Sequence, residues 1–229
     1  MPHSSAPDPD PAPGFVTIGR AAKKATLGGR TQVIVPVSGD ARALTDQVGA
    51  LASCRADIVE WRADTYLFSL VGSHFVAASE VADDLVRMAR YVADASPLPI
   101  LATIRTSVEG GEASLDDEEY CALVAALAPH VGGVDVEIRR DGFSALIEDA
   151  HAAGALVIGS FHDFEGTPSD DQLAEVLADI ERRDAIDSSR DTSPLKPAPD
   201  AVQMDSTGRT IEQVIERICA LAQEKGVHV

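Results

Sequence analysis

The chain has 229 residues, 45% of them hydrophobic, which is enough to bury the core of one large α/β domain or of two small ones. Its 37 acidic and 19 basic residues give a net charge of −18, which opposes binding to nucleic acid or to anionic lipid. Its three cysteines are too widely spaced for a zinc site or a disulfide framework, and no apolar run is long enough to span a membrane. We therefore expect a cytoplasmic protein with no nucleic-acid or membrane partner.

The predicted elements begin after a leader, 1–13, whose proline, serine and aspartate content predicts disorder. From residue 31 onward, short runs rich in β-branched residues alternate with segments in which apolar residues recur every three or four positions. The predicted strands are 32–37, 56–61, 99–104, 133–138 and 155–161. The predicted helices are 41–54, 80–95, 116–128 and 142–153. Five βα repeats in this order predict an α/β fold, either a (β/α) barrel or a doubly wound sheet.

In both architectures the functional side chains lie just past the carboxyl ends of the strands. The polar residues at these positions are Glu60 and Arg62, Arg105 and Glu109, Glu137 and Arg139, and His162 and Asp163. Guanidinium groups bind anions through paired hydrogen bonds, and a histidine exchanges protons near neutral pH. The combination predicts a site for a small polyhydroxylated anion, with the histidine as general acid and base. Taken singly, Glu109, Glu112 and Glu137 are expected to be solvated or structural acids.

Four motifs at these strand ends carry a resemblance to a known family. They read DIVEWRAD at 57–64, ATIRTSVEGGE at 102–112, VDVE at 134–137 and SFHDFEGTP at 160–168. In this order and spacing they resemble type I 3-dehydroquinate dehydratase, over residues 16–177.

The resemblance implies a (β/α)8 TIM barrel and a lyase of the shikimate pathway, which leads to the aromatic amino acids. The implied reaction converts 3-dehydroquinate to 3-dehydroshikimate and water through a Schiff base between the substrate ketone and a lysine, with no cofactor and no metal. By position, His162 resembles the proton-transfer residue, and Glu60, Arg62 and Arg105 resemble the substrate-binding residues. Glu109 would be a supporting carboxylate beside them.

The sequence departs from the family pattern at the imine-forming lysine. In the family that lysine lies about 27 residues beyond the catalytic histidine, where this chain has Ser189, and no lysine occurs between Lys24 and Lys196. Lys196 is expected to be a solvated lysine, and Pro36 stands where many members carry serine. Two hypotheses follow. One is a 3-dehydroquinate dehydratase by descent, in which turnover by imine chemistry is not expected without the lysine, and the other is a non-catalytic fusion or remnant protein that binds a small anion weakly at most.

The last part of the chain, 181–229, resembles a different family, the C-terminal end of bacterial cytidylate kinase. The resemblance is carried by RDAIDSSR at 183–190, SPL at 193–195 and DAVQMDST at 200–207. It implies that Arg183, Asp187 and Arg190 match nucleotide-contacting residues. A kinase also needs a phosphate-binding Gly-x-x-x-x-Gly-Lys-Ser/Thr run, and the sequence has none, so kinase activity is not expected.

We therefore predict a chimera of three parts: the leader, dehydratase-like βα units over 14–180, and the kinase-like segment. A predicted strand at 200–205 and helix at 211–223 would add a sixth βα-like unit and leave the barrel incomplete. An incomplete barrel exposes two sheet edges and part of its apolar core. We expect an open sheet or a homo-oligomer.

Overall fold

The computed structural model describes residues 16–20, 22–28, 31–72, 74, 77–164 and 166–188. They belong to the first of two compact units, Met1–Lys196, and the second, Pro197–Val229, lies outside the described residues. The expected leader, the predicted strand at 200–205 and the predicted helix at 211–223 also lie outside them.

The described part of the chain opens with an antiparallel hairpin of β1 (Val16–Arg20) and β2 (Lys23–Leu27). A parallel sheet follows, made of β3 (Ile34–Val37), β4 (Ile58–Arg62), β5 (Ile100–Thr103), β6 (Gly133–Glu137) and β7 (Leu156–Ser160). These five strands overlap the five predicted ones, which confirms the α/β class, whereas the hairpin was not predicted. The parallel strands lie side by side in chain order. A doubly wound sheet reverses its strand order, so the observed order favours the barrel alternative.

Helices connect the strands on the outer side of the sheet. They are α1 (Ala41–Ala50), α2 (Ala63–Val71), α3 (Ala78–Ala95), α4 (Asp117–Leu127), α5 (Phe143–Ala152) and α6 (Asp170–Ser188). Four of them match predicted helices, while α2 and α6 were not predicted; α2 begins directly after β4 with no polar loop between them. Within the described residues, no helix combines the length and apolar character that a membrane crossing needs.

Aspartate caps fix the start of two helices. The Asp40 carboxylate accepts a hydrogen bond of 2.8 Å from the Ala43 amide, and the Asp116 carboxylate accepts one of 2.9 Å from the Glu119 amide. Each cap satisfies an amide that has no partner within its own helix. The caps therefore define where α1 and α4 leave the carboxyl-end loops of the sheet.

The side chains of the sheet alternate between two faces, as pleated strands require. Outward residues such as Trp61 and Val134 pack with the helices in one large apolar cluster. Inward residues at the amino ends of the strands, including Ile58 and Leu101, pack against Ile18 of the hairpin in a second cluster. Among the described residues, the hairpin therefore closes the amino end of the inner face and leaves its carboxyl end open.

Candidate active site

Polar side chains occupy the inner face at the carboxyl ends of β4 and β5. The Thr103 hydroxyl donates a hydrogen bond of 2.9 Å to the Glu60 carboxylate on the neighbouring strand. Arg62, at the end of β4, donates two hydrogen bonds of 2.9 and 2.7 Å to the carboxylate of Asp64. The Asp64 side chain is fully buried, whereas that of Arg62 is 31% exposed. Arg62 is therefore held in one orientation while part of its side chain reaches solvent.

Arg105 lies at the centre of the site and is almost completely buried. Its guanidinium donates to the Asp135 carboxylate at 2.7 Å, to the Ser160 hydroxyl at 3.0 Å and to the Glu109 carboxylate at 3.2 Å. A longer contact of 3.4 Å reaches Glu137. Three carboxylates thus surround one guanidinium, a balance that favours protonation of at least one of the acids.

Glu109 joins Arg105 to His162. One oxygen of Glu109, Oε2, lies 3.1 Å from the His162 amide nitrogen and 3.1 Å from the ring Nδ1. The Glu109 side chain is buried, but that of His162 is 40% exposed. When a carboxylate accepts a hydrogen bond from Nδ1–H of a neutral histidine, the other ring nitrogen, Nε2, is the one that can accept a proton. This arrangement orients a histidine for proton transfer at the open end of the inner face.

The loop after β5 holds Glu109 in place. A 3₁₀ turn at Ser107–Glu109 ends at Gly110, whose φ of +79° favours glycine. The ring of Phe164 fills the space beside Gly110, since a Cβ there would lie only 2.3 Å from a ring carbon. The same ring stacks on His162 with a centroid distance of 6.3 Å. The two glycines after Glu109 are therefore a requirement of close packing, because a Cβ on Gly111 would collide with the carbonyl of Arg105.

Burial and neighbouring charges set the ionisation of the two central acids. Burial raises the pKa of the Glu109 carboxyl, with the Glu137 charge adding to the rise, while the bond from His162 and the charge of Arg105 lower it. Burial likewise raises the pKa of Asp135, against the opposing effects of Arg105 and the bond from Ser160. Both carboxyls therefore hold protons to higher pH than exposed acids do.

The structure brings together Glu60, Arg62, Arg105, Glu109, Glu137 and His162 at the carboxyl end of the sheet. Glu109 and Glu137 were expected to be solvated or structural acids, and burial excludes the solvated alternative, since Glu137 is 0% and Glu109 5% exposed. Two other strand-end residues are exposed to solvent. Arg139 pairs instead with Glu175 of α6 at 2.9 Å, and Asp163 is exposed.

Sequence reasoning missed several members of this network, namely Asp64, Thr103, Thr106, Asp135, Arg140 and Ser160. For three of them a signal was available, because Thr103, Asp135 and Ser160 lie two residues before Arg105, Glu137 and His162. On a strand that spacing places a residue on the same face. Among the described residues, no group of three or more acidic, histidine or cysteine side chains is arranged to hold a metal ion.

Comparisons with known proteins point to one family for most of the chain. The model of type I 3-dehydroquinase matches residues 33–186. A model of cytidylate kinase matches residues 160–224 in part, and this range overlaps the range of the dehydroquinase match.

Three proteins that are similar in sequence or in structure are 3-dehydroquinate dehydratases. The 3-dehydroquinate dehydratase of Klebsiella pneumoniae is 38% identical over 152 residues, 63% of this chain and 56% of the relative. That of Listeria monocytogenes is 30% identical over 206 residues, covering 87% of this chain and 78% of the relative. The solved 3-dehydroquinate dehydratase of Enterococcus faecalis is 28% identical with a TM-score of 0.56, over 72% of this chain and 64% of that one. The chain thus spans little more than half the length of the Klebsiella relative.

Proposed function

Since the chain belongs to the type I 3-dehydroquinase family, we propose that it acts on 3-dehydroquinate as a hydro-lyase, releasing water to form 3-dehydroshikimate. The observation that carries this proposal is the Glu109–His162 pair at the open end of the sheet. A buried carboxylate behind a partly exposed histidine is an arrangement suited to repeated proton transfer. Arg62, whose side chain is 31% exposed, lies at the same end and would bind the substrate carboxylate, and Arg105, buried among its own carboxylates, would reach the substrate by exchanging one of those contacts.

The proton steps of this reaction would centre on His162. Its Nε2 accepts a proton from the carbon next to the substrate ketone, and the ring then delivers a proton to the departing hydroxyl, so that water leaves. Glu109 holds the ring through Nδ1 and stabilises the protonated ring between the two steps. Glu60, whose carboxylate is bonded to Thr103, would accept hydrogen bonds from substrate hydroxyls.

The Schiff base step needs an amine, and the sequence has only Lys23, Lys24, Lys196 and Lys225. Lys23 and Lys24 belong to the hairpin at the opposite end of the sheet, and the Lys23 ammonium donates to the Ala93 carbonyl at 2.6 Å. The other two lysines lie outside the described residues. An imine in this chain would therefore have to form at Lys196 or Lys225, and elimination without an imine is the alternative route.

Borohydride trapping combined with an absorbance assay tests the proposal. The protein is incubated with 3-dehydroquinate, the enone product is followed by absorbance, and a parallel sample is reduced and mapped by mass spectrometry. We expect product formation that His162→Gln lowers by about 100-fold or more, because the proton-transfer group is lost. His130→Gln is the matched control, since His130 lies in a 3₁₀ turn before β6, at the other end of the sheet.

Each outcome of that assay has a defined meaning. Product with an adduct at Lys196 or Lys225 assigns the imine route, and product without an adduct assigns direct elimination. Absence of both product and adduct would overturn the proposal and favour the second candidate, a non-catalytic protein. The observation in favour of that candidate is the absence of lysine between Lys24 and Lys196.

We also propose the chimeric organisation, with dehydratase-like units over 14–180 and a kinase-like segment over 181–229. The partial cytidylate kinase match supports it. The side chains of Arg183 and Asp187, and all of Arg190, lie outside the described residues. The expectations of a cytoplasmic, cofactor-free protein with no nucleic-acid partner rest on the composition and the resemblance, and stay predictions.

A further inference from the structure

Arg140 lies just beyond β6 and binds three partners at once. Its Nε donates to Glu137 at 2.9 Å and one terminal nitrogen donates to Asp117 at 2.8 Å. The other terminal nitrogen donates to the Thr106 hydroxyl, and the guanidinium lies 5.5 Å from the centre of the Tyr120 ring. The Arg140 side chain is 11% exposed. These contacts place a fixed positive charge directly behind the site described above.

Glu137 is the acid that Arg140 shares with the site. It is completely buried, and its two oxygens also accept hydrogen bonds of 2.8 Å from the Thr106 amide and hydroxyl. Arg105 approaches it only to 3.4 Å, compared with 2.9 Å for Arg140. Arg140 is therefore the closer cation to Glu137, and Arg105 makes its shorter contacts elsewhere.

Loss of Arg140 would change the carboxylate with which Arg105 pairs. A buried carboxylate without a counter-ion is costly, so Glu137 would draw the guanidinium of Arg105 toward itself. Arg105 would then give up its 3.2 Å contact with Glu109. The charge of Glu137 raises the pKa of Glu109 and the charge of Arg105 lowers it, so both changes favour a protonated Glu109.

We propose that Arg140 is a positioning residue: by neutralising Glu137 it leaves Arg105 in contact with Glu109, and Glu109 in turn orients the His162 ring. The relevance to catalysis rests on the proposed function, whereas the electrostatic coupling does not. The groups that face Glu109 are Arg105, Glu137 and His162, and those that face Arg140 are Asp117, Tyr120, Cys121 and Glu137.

The coupling is tested by following the side-chain carboxyl carbon of Glu109 by ¹³C NMR as a function of pH, without substrate. Glu109→Gln identifies the resonance by removing it. In Arg140→Gln we expect the pKa of Glu109 to rise by about one unit or more. The control is Arg139→Gln, which deletes the same charge one residue away, where the guanidinium pairs with Glu175. It should leave the titration of Glu109 unchanged.

Two further variants keep the test decisive. Arg140→Gln combined with Glu137→Gln should return the pKa of Glu109 to or below its wild-type value, which a merely structural role of Arg140 would not achieve. Glu137→Gln alone should lower it, and this variant serves if Arg140→Gln does not fold. Equal titration in the Arg140 and Arg139 variants, or an unchanged Glu109 in Glu137→Gln, would overturn the proposal. The dehydratase assay is independent, so failure of one idea is distinguishable from failure of the other.

Discussion

At the scale of single residues, the site is defined by an unequal balance of charge. Asp135, Glu137 and Glu109 surround Arg105, and Arg140 supplies the second cation on the side of Glu137. A buried carboxylate without a counter-ion is costly. Burial therefore raises the pKa of Glu109 and of Asp135, which favours their neutral, protonated forms. The net charge of the site therefore varies with pH.

Asp135→Asn tests this balance through stability. The folded-state pKa of Asp135 is raised, so the folded protein binds more protons than the unfolded chain between the unfolded pKa and the raised value. The stabilisation that comes from protonated Asp135 is fully present below the pKa that Asp135 has in the unfolded chain. It is lost as the pH rises through the pKa that Asp135 has in the folded protein. Relative to wild type, the variant should therefore gain about 1.4 kcal/mol in free energy of unfolding for each pH unit across that window.

Urea unfolding of both proteins between pH 4 and pH 8 measures this difference. Asp149→Asn makes the same chemical change at an exposed position on α5 and is the control for the substitution itself. A difference between wild type and Asp135→Asn that stays constant over the whole range would show that Asp135 is ionised throughout, contrary to the prediction.

At the scale of elements, the hairpin is tied to the barrel by cations placed on helix ends. Arg20 donates to the carbonyls of Val131, Ala128 and Ala153 at 2.6, 2.8 and 2.6 Å. Lys23 reaches the carbonyls at the end of α3 in the same way. The last carbonyls of a helix lack intrahelical partners and carry partial negative charge, so each contact satisfies an acceptor and favours a cation.

Arg20→Ala should consequently lower the free energy of unfolding by about 2 to 4 kcal/mol, since it removes three hydrogen bonds from a charged donor and leaves three carbonyls unpaired. Arg20→Lys should have an intermediate effect, because one ammonium cannot reproduce the geometry of the guanidinium. Chemical denaturation measures both. Arg55→Ala, at an exposed position, is the control, and a loss for Arg20→Ala no larger than that of the control would contradict this account.

At the scale of the whole molecule, the described part of the chain forms five adjacent strands of a barrel-like sheet. Within that part, β3 and β7 each have one neighbouring strand, and apolar side chains at the β3 side are open to solvent, with Val33 52% and Ile34 44% exposed. Unpaired strand edges beside apolar surface favour association with another chain. The expected homo-oligomer stays a prediction.

Sedimentation velocity over a range of protein concentrations tests it. We expect concentration-dependent self-association that Ile34→Lys weakens, because Ile34 shares the inner face with its register partner Ile58 and lies beside the β3 edge. Tyr91→Lys, which places the same charge at an exposed position on α3, is the control. A monodisperse wild-type monomer with one cooperative thermal transition would contradict the expectation.

The sequence by itself determined the five parallel strands, four of the six described helices and the strand-end residues Glu60, Arg62, Arg105 and His162. It could do so because β-branched runs and helical periodicity are local signals, and because the carboxyl ends of parallel strands always meet at one edge. The four motifs added the family, which the comparisons support.

Only the tertiary structure decided how those residues are used. In the folded protein Glu109 and Glu137 are buried, and Arg139 pairs with a residue outside the site. Arg140, Asp135 and Ser160 join the hydrogen-bond network of the site. The tertiary structure also placed the hairpin under the sheet, a contact between residues more than 100 positions apart. The reason is physical: the partner of an ionisable group is set by burial and by side chains on other strands, and neither is encoded in the local sequence around that group.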